Sequence, residues 1–174
     1  IINGKVLHKI ISKCYNYRRD KEENTEDQMI ITRETDYSIR VLRSLQDGKL
    51  HNADEIVKEE FIPKQFAYKI IKKLERGHLV KIVHGAHGGC VLACDLNDVS
   101  LQDLMTVMGA NKKVTSCMDP DFVCPWRSEH GQCKIHCALG TIQNEVDKLL
   151  ENYSMADIIN YQCSSLNFRV PSEA

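Results

Sequence analysis

The sequence predicts a mainly α-helical fold with a small β wing, a winged helix-turn-helix domain joined to a long dimerisation helix. Three observations carry that prediction. Three amphipathic segments separated by short turn signals lie between residues 32 and 76. A glycine-rich hairpin with Gly85-Ala86-His87-Gly88-Gly89 at its tip follows the third of them at once. Further on, Ile135, Leu139, Ile142, Val146, Leu149 and Tyr153 recur at alternating steps of four and three, the seam of a helix that lies lengthwise against another helix.

Residues 1–28 read as an N-terminal extension or linker. Val6, Leu7, Ile10, Ile11 and Cys14 fall at helical spacing, whereas the run RRDKEENTEDQ from Arg18 to Gln28 is too charged to bury, and Met29 is a candidate natural start. The winged domain is expected over 29–109. Its first helix spans Thr32 to Asp47, with Tyr37, Val41, Leu42 and Leu45 on one face and Gly48 placed to end it in a left-handed conformation. A second, short helix starts at Asn52, where Glu55 completes a capping box ahead of Ile56 and Val57, and ends near Phe61.

Pro63 opens the third helix, since its fixed φ and missing N–H suit a first turn, and Gly77 is placed to stop it. Phe66, Ile70, Ile71 and Leu74 make the buried face; Lys64, Gln65, Tyr68, Lys69, Lys72 and Lys73 make the other. A basic, hydrogen-bonding face here is what a helix-turn-helix turns towards DNA, although an ordinary solvated helix also carries lysines. Leu79–His84 and Cys90–Cys94 then read as the two strands of a wing, from which Lys81, His84 and His87 project. The wing glycines let the backbone approach a phosphate or a minor groove closely, or simply make a flexible hairpin. Ser100 and Asp103 form another capping box, opening a helix through Met108 that Gly109 ends.

Residues 110–134 make a polar loop. It carries Cys117, Cys124 and Cys133, with Cys137 just beyond and His130 and His136 nearby. Thiols crowded into such a segment suit a soft metal centre better than a core. Structural zinc favours two tight ligand pairs, whereas these wide, uneven gaps suit a larger object, an iron-sulfur cluster, with zinc the alternative. Residues 135–162 are expected to form a dimerisation helix and a short C-terminal helix, the former pairing with a twofold-related copy because the chain offers no second long helix to receive its seam. Ser154 and Asp157 cap a last short helix through Asn160, and residues 163–174 form a tail.

Composition narrows the function. A net charge of -1 gives no global attraction to nucleic acid, so any such contact must come from local clustering. No apolar run reaches the length of a membrane span and no signal peptide is evident, so a cytoplasmic location is expected. In that reducing compartment eight cysteines argue for metal or redox chemistry over disulfides. No nucleotide-binding glycine pattern or nucleophile–base pairing is found, so an enzyme is not expected.

The start MIITRETDYSIRVL, the segment KKLERGHLVK, the wing VHGAHGGCVL and the stretch CKIHCALGTIQNEVDKLL together resemble the Rrf-two (Rrf2) family of bacterial winged-helix transcription regulators. The resemblance spans about Met29 to Asn160. It implies a homodimer on a pseudo-palindromic operator in double-stranded DNA, acting most simply as a repressor. Members with such cysteines are similar to iron-sulfur regulators that sense cluster supply, nitric oxide or redox state; others answer to protein or metabolite partners. By the same resemblance, Cys117, Cys124 and Cys133 match the ligands of a 2Fe-2S or 4Fe-4S cluster. The fourth ligand matches either His136, as in the cluster-biogenesis regulator, or Asp36 from the opposite subunit, as in the nitric-oxide-sensing repressor. Pro63, Lys64, Gln65, Tyr68 and Lys69 match the family's major-groove helix, with Gln65 suited to bond an adenine edge and Lys69 and Lys72 suited to phosphates. His84, Gly85 and His87 match the wing tip, His84 standing where the family commonly has arginine.

Overall fold

The structure is a computed structural model that describes residues 30–162 except Ala86 and Asn111. The expected helix around Val6–Cys14, the linker and start residue before Ile30, and the tail from Cys163 lie outside the described residues. In order, the chain forms α1 (Arg33–Ser44), α2 (Ala53–Glu59), α3 (Lys64–Arg76), β1 (Val80–Val83), β2 (Gly89–Leu92), α4 (Leu101–Met108), a 3-10 turn (Ser116–Met118), α5 (Pro125–His130), α6 (Lys134–Asn152) and α7 (Met155–Ile159). The mostly helical architecture, with one two-stranded antiparallel sheet among the described residues, is that of a winged helix.

Local chemistry sets most boundaries. Thr32 caps α1 by accepting from Thr35 N–H, and the capping boxes at Asn52, Ser100 and Ser154 open α2, α4 and α7 with both reciprocal bonds in place. Helix α1 is shorter than expected: it closes at Leu45 and passes through a turn before Gly48 takes the left-handed conformation at φ 69°. Pro63 is the cap of α3 and not its first turn, so Lys64 opens the helix. Gly77 also plays a different part. Its φ is -80° and the left-handed residue is His78, while a Cβ on Gly77 would stand 2.6 Å from Val107 Cγ1. The glycine is therefore required by packing of α3 against α4, more than by the turn.

The core lies where α1, α2, α3 and α4 meet. Val41, Leu42, Leu45, Ile56, Ile70, Leu74 and Leu104 are wholly buried there, and fully burying a side chain of this size contributes about 1.5–3 kcal/mol. Phe61 adopts φ 52°, turning the chain after α2 so that Ile62 enters the core. The wing strands pair in the register Val80 with Leu92 through Val83 with Gly89, and a single bridge joins Cys90 to His51 ahead of α2. The wing is thereby tied to the helix-turn-helix.

Two features of the C-terminal half were not evident from periodicity. Within the loop of residues 110–134 the chain forms the 3-10 turn and α5, which starts on Pro125 and stops at Gly131. Helix α6 carries a second buried face. Gln143 and Leu150 pack on the protein's own domain, while seam residues Ile135, Ile142, Leu149 and Tyr153 are exposed and Leu139 and Val146 half-buried. Beyond α6 the chain folds back: Met155 N–H donates to Val99 and Leu101 N–H to Tyr153, and Met155 is fully buried in the main core.

Candidate functional site

Helix α3 presents a face that is exposed but unevenly free. Lys64 Nζ sits 2.8 Å from Asp54 Oδ1, and Tyr68 donates its hydroxyl to the same oxygen at 3.2 Å. Lys69 and Lys73 donate to the two oxygens of Glu34, and Lys73 also donates to the Met108 carbonyl at 2.9 Å. Burial would raise the Glu34 carboxyl, but the hydrogen bonds and charges of Lys69 and Lys73 hold it below the ordinary value. The Lys64 hydrogen bond likewise lowers Asp54, and Asp54 raises Lys64. Among the described residues Gln65 and Lys72 have no such partner and face solvent.

Beside α3, a groove of about 380 Å³ separates the helix from the wing, with Tyr68, Lys72, His84 and Gly85 on its walls and Cys90 among its lining. The structure thus brings together four of the residues expected to meet DNA. Pro63 and Lys64 stand at the start of α3, while His87 lies exposed in the hairpin turn, outside the lining of the groove. Gly89 packs so closely on His51 that a Cβ would stand 2.3 Å from its carbonyl oxygen. Burial pushes the Cys90 thiol up to about 11, and burial followed by the nearby Asp95 and Asp98 raises Cys94, so both wing thiols stay protonated.

The other cysteines gather elsewhere. Cys117 in the 3-10 turn, Cys124 capping α5, Cys133 capping α6, and His136 in its first turn line one pocket of about 570 Å³ walled by Trp126 and Ile135. Cys133 Sγ accepts from His136 N–H at 3.4 Å. The His136 imidazole approaches Arg127 Nη1 at 3.3 Å through Nε2, but its Nδ1 is buried without a hydrogen bond from any of the described residues, an arrangement that costs free energy unless a further partner is present. Three half-buried thiols and an unsatisfied imidazole nitrogen around a cavity of that size fit, in kind, a soft metal centre. The side chains are not drawn into a closed array, since no three His, Cys, Asp or Glu among the described residues stand close enough to hold an ion. Cys137 is exposed, outside the lining, within 4.0 Å of Gln132 Nε2. Asp36 is on α1, paired with Arg40 at 3.1 Å, and takes no part in this pocket.

Sequence reasoning did not find Asp54 and Glu34 as partners of the α3 lysines. They stand 10 and 35 residues away along the chain, so no local pattern links them.

Comparison with known proteins gives a consistent result. Residues 31–161 match the family model Rrf2, described as an iron-dependent transcriptional regulator. The protein aau3 of Rhizobium meliloti is 26% identical over 134 residues, covering 75% of this chain and 85% of that one. An HTH-type transcriptional regulator of Aquifex aeolicus is 23% identical over 119 residues, 68% of this chain and 82% of its own. Among solved structures the fold is similar to CymR, the global cysteine regulator of B. subtilis (TM-score 0.56, 17% identity, 76% of this chain and 98% of that one). It is also similar to T. potens IscR (TM-score 0.52, 16% identity, 83% and 94%).

Proposed function

Because the chain belongs to the Rrf2 family of transcriptional regulators, we propose that it is a homodimeric, sequence-specific DNA-binding regulator, most simply a repressor, governed by an iron-sulfur cluster. In this reading residues 29–109 are the DNA-binding unit, with α3 in the major groove and the wing at the neighbouring minor groove. Gln65 reads a base edge while Lys72 and the wing residues His84, Gly85 and His87 meet the backbone. Cys117, Cys124 and Cys133 would hold a 2Fe-2S or 4Fe-4S cluster, with His136 or Asp36 of the partner subunit as the fourth ligand.

The observation that carries the reading is the single pocket that collects three thiols from three separate elements beside a histidine nitrogen with no hydrogen-bond partner among the described residues. When bound, a cluster supplies a charge and a ligand demand that change on oxidation, nitrosylation or loss of iron. The chain's part is to convert ligand position into helix position. Cys124 and Cys133 are the caps of α5 and α6, so moving either thiol moves the end of a helix. A coupling of about 1–3 kcal/mol between pocket and DNA face would change DNA affinity about 5- to 150-fold.

The test is purification without oxygen, followed by visible absorbance, iron and sulfide analysis, and DNA binding before and after exposure to nitric oxide or air. A coloured protein that loses colour and changes affinity together, and a Cys124→Ala variant that does neither, are expected. A colourless protein with stoichiometric zinc, or an unaltered response in Cys124→Ala, would instead favour a regulator of the same fold that answers to a protein or metabolite partner.

A further inference from the structure

The recognition face of α3 is lysine-rich in sequence, yet much of its charge is already engaged. Lys64 is held by Asp54 of α2, and Lys69 and Lys73 by Glu34 of α1. Each acid reaches across from a different helix. Asp54 is fixed by its place in the first turn of α2, where its own amide is bonded by the Asn52 cap. Glu34 lies in the first turn of α1, mostly shielded from water, and both of its oxygens are used. Lys73 is further anchored by the Met108 carbonyl at the end of α4. Among the described residues, what remains unengaged along this face is one amide, Gln65, and one ammonium, Lys72.

Phosphate contacts supply nearly all sequence-independent affinity for DNA, and each neutralised phosphate adds about 0.9 to the salt-dependence slope. A lysine already bonded to a carboxylate must leave that partner, or bring it along, to reach a phosphate. Either course reduces what the lysine can contribute.

We infer that Glu34 and Asp54 are positioning residues that hold Lys64, Lys69 and Lys73 away from the DNA backbone and act as an electrostatic brake on sequence-independent binding. This rests on α3 being the DNA-reading helix. The brake explains how a face carrying four lysines belongs to a protein with a net charge of -1 and still leaves recognition to its few free groups. Lys72, opening onto the groove beside the wing, is then the principal phosphate contact of α3.

The test compares wild type, Glu34→Gln and Asp54→Asn on a random-sequence duplex and on a duplex selected by the wild-type protein from a random pool, across a salt titration. Ion pairs at or near the surface contribute little individually, so each variant should bind the random duplex about 1.5- to 5-fold more tightly at low salt. Its slope should steepen by up to about 1 for each lysine released. Asp98→Asn removes the same charge from an exposed loop with no bond to α3 and should change neither reading. In the wild-type background Lys72→Ala should weaken random-duplex binding more than Lys69→Ala does. Asp54 is exposed, so its variant keeps the test valid if Glu34→Gln is destabilised. Unchanged or weaker random-duplex binding and an unchanged slope in Asp54→Asn, with wild type binding DNA normally, would overturn the brake alone. No DNA binding by the wild type or any variant would overturn the assignment of α3 itself.

Discussion

At the scale of single residues, the least expected feature is an acid that the fold buries. Glu60 is 5% exposed and accepts from Arg43 and from the Ser44 hydroxyl, joining the end of α1 to the end of α2. Burial alone would raise its carboxyl, but these hydrogen bonds and the Arg43 charge hold it below the ordinary glutamate value. A depressed value in the folded state stabilises the protein above the unfolded value and is lost as pH falls through the folded one. Melting temperature should therefore drop as the solution is taken below about pH 4.5. Glu60→Gln should lose about 1–3 kcal/mol at neutral pH and show a shallower acid dependence. Equal slopes for variant and wild type in thermal melts at several pH values would show that Glu60 carries none of this dependence.

At the scale of elements, much of the domain could be read directly. Capping residues at Asn52, Ser100 and Ser154 and the stop at Gly109 are local signals, and each is where the sequence places it; Gly48 takes the expected left-handed conformation, but past the end of α1. What could not be read depends on distant partners. Gly77 is small because Val107 is there, and Gln143 is buried because it accepts from Val114 N–H and donates to the Lys112 carbonyl, about 30 residues upstream. The wing shows the same dependence. Gly89 appears in sequence as part of a flexible tip, but it begins β2 and lies against the His51 carbonyl. Gly89→Ala should force the hairpin off that backbone at a cost of about 1–3 kcal/mol. DNA affinity should fall with the loss of stability, as measured by thermal unfolding and a binding titration. An Ala variant as stable as wild type would mean the wing is not tied there.

At the scale of the whole molecule, the question is what covers the outer face of α6. Ile142 is 52% exposed and Leu149 56%, in a row that an isolated helix would not keep apolar. Ile142→Glu and Leu149→Glu should each weaken self-association by about 1.5–3 kcal/mol, equivalent to about ten- to more than a hundredfold in dimer dissociation constant. Sedimentation over a concentration series, with helix content followed by circular dichroism, would check this; variants that remain fully dimeric would place the subunit contact elsewhere. The candidate cysteine site was only half legible at this scale. Crowded thiols could be recognised from spacing alone, but their common pocket is made by α5 and the 3-10 turn, which have no periodic signature. Glu34 and Asp54 left no trace at all, because ion pairs between helices have no sequence period.

Helix α6 is fastened unevenly. Leu150 and the chain just beyond it are docked into the body, Gln143 clasps the incoming segment, and Lys134 stands at the far end among the thiols. At about 1.5 Å per residue the portion before Gln143 extends roughly 13 Å, packed there on the 3-10 turn and not on the main core. A tilt of about ten degrees at that fulcrum would carry its tip about 2 Å by the same geometry, enough to make or break a hydrogen bond. Because the outer row of α6 runs the whole way from this tip to the docked end, the same small lever stroke would reach any second copy lying along it.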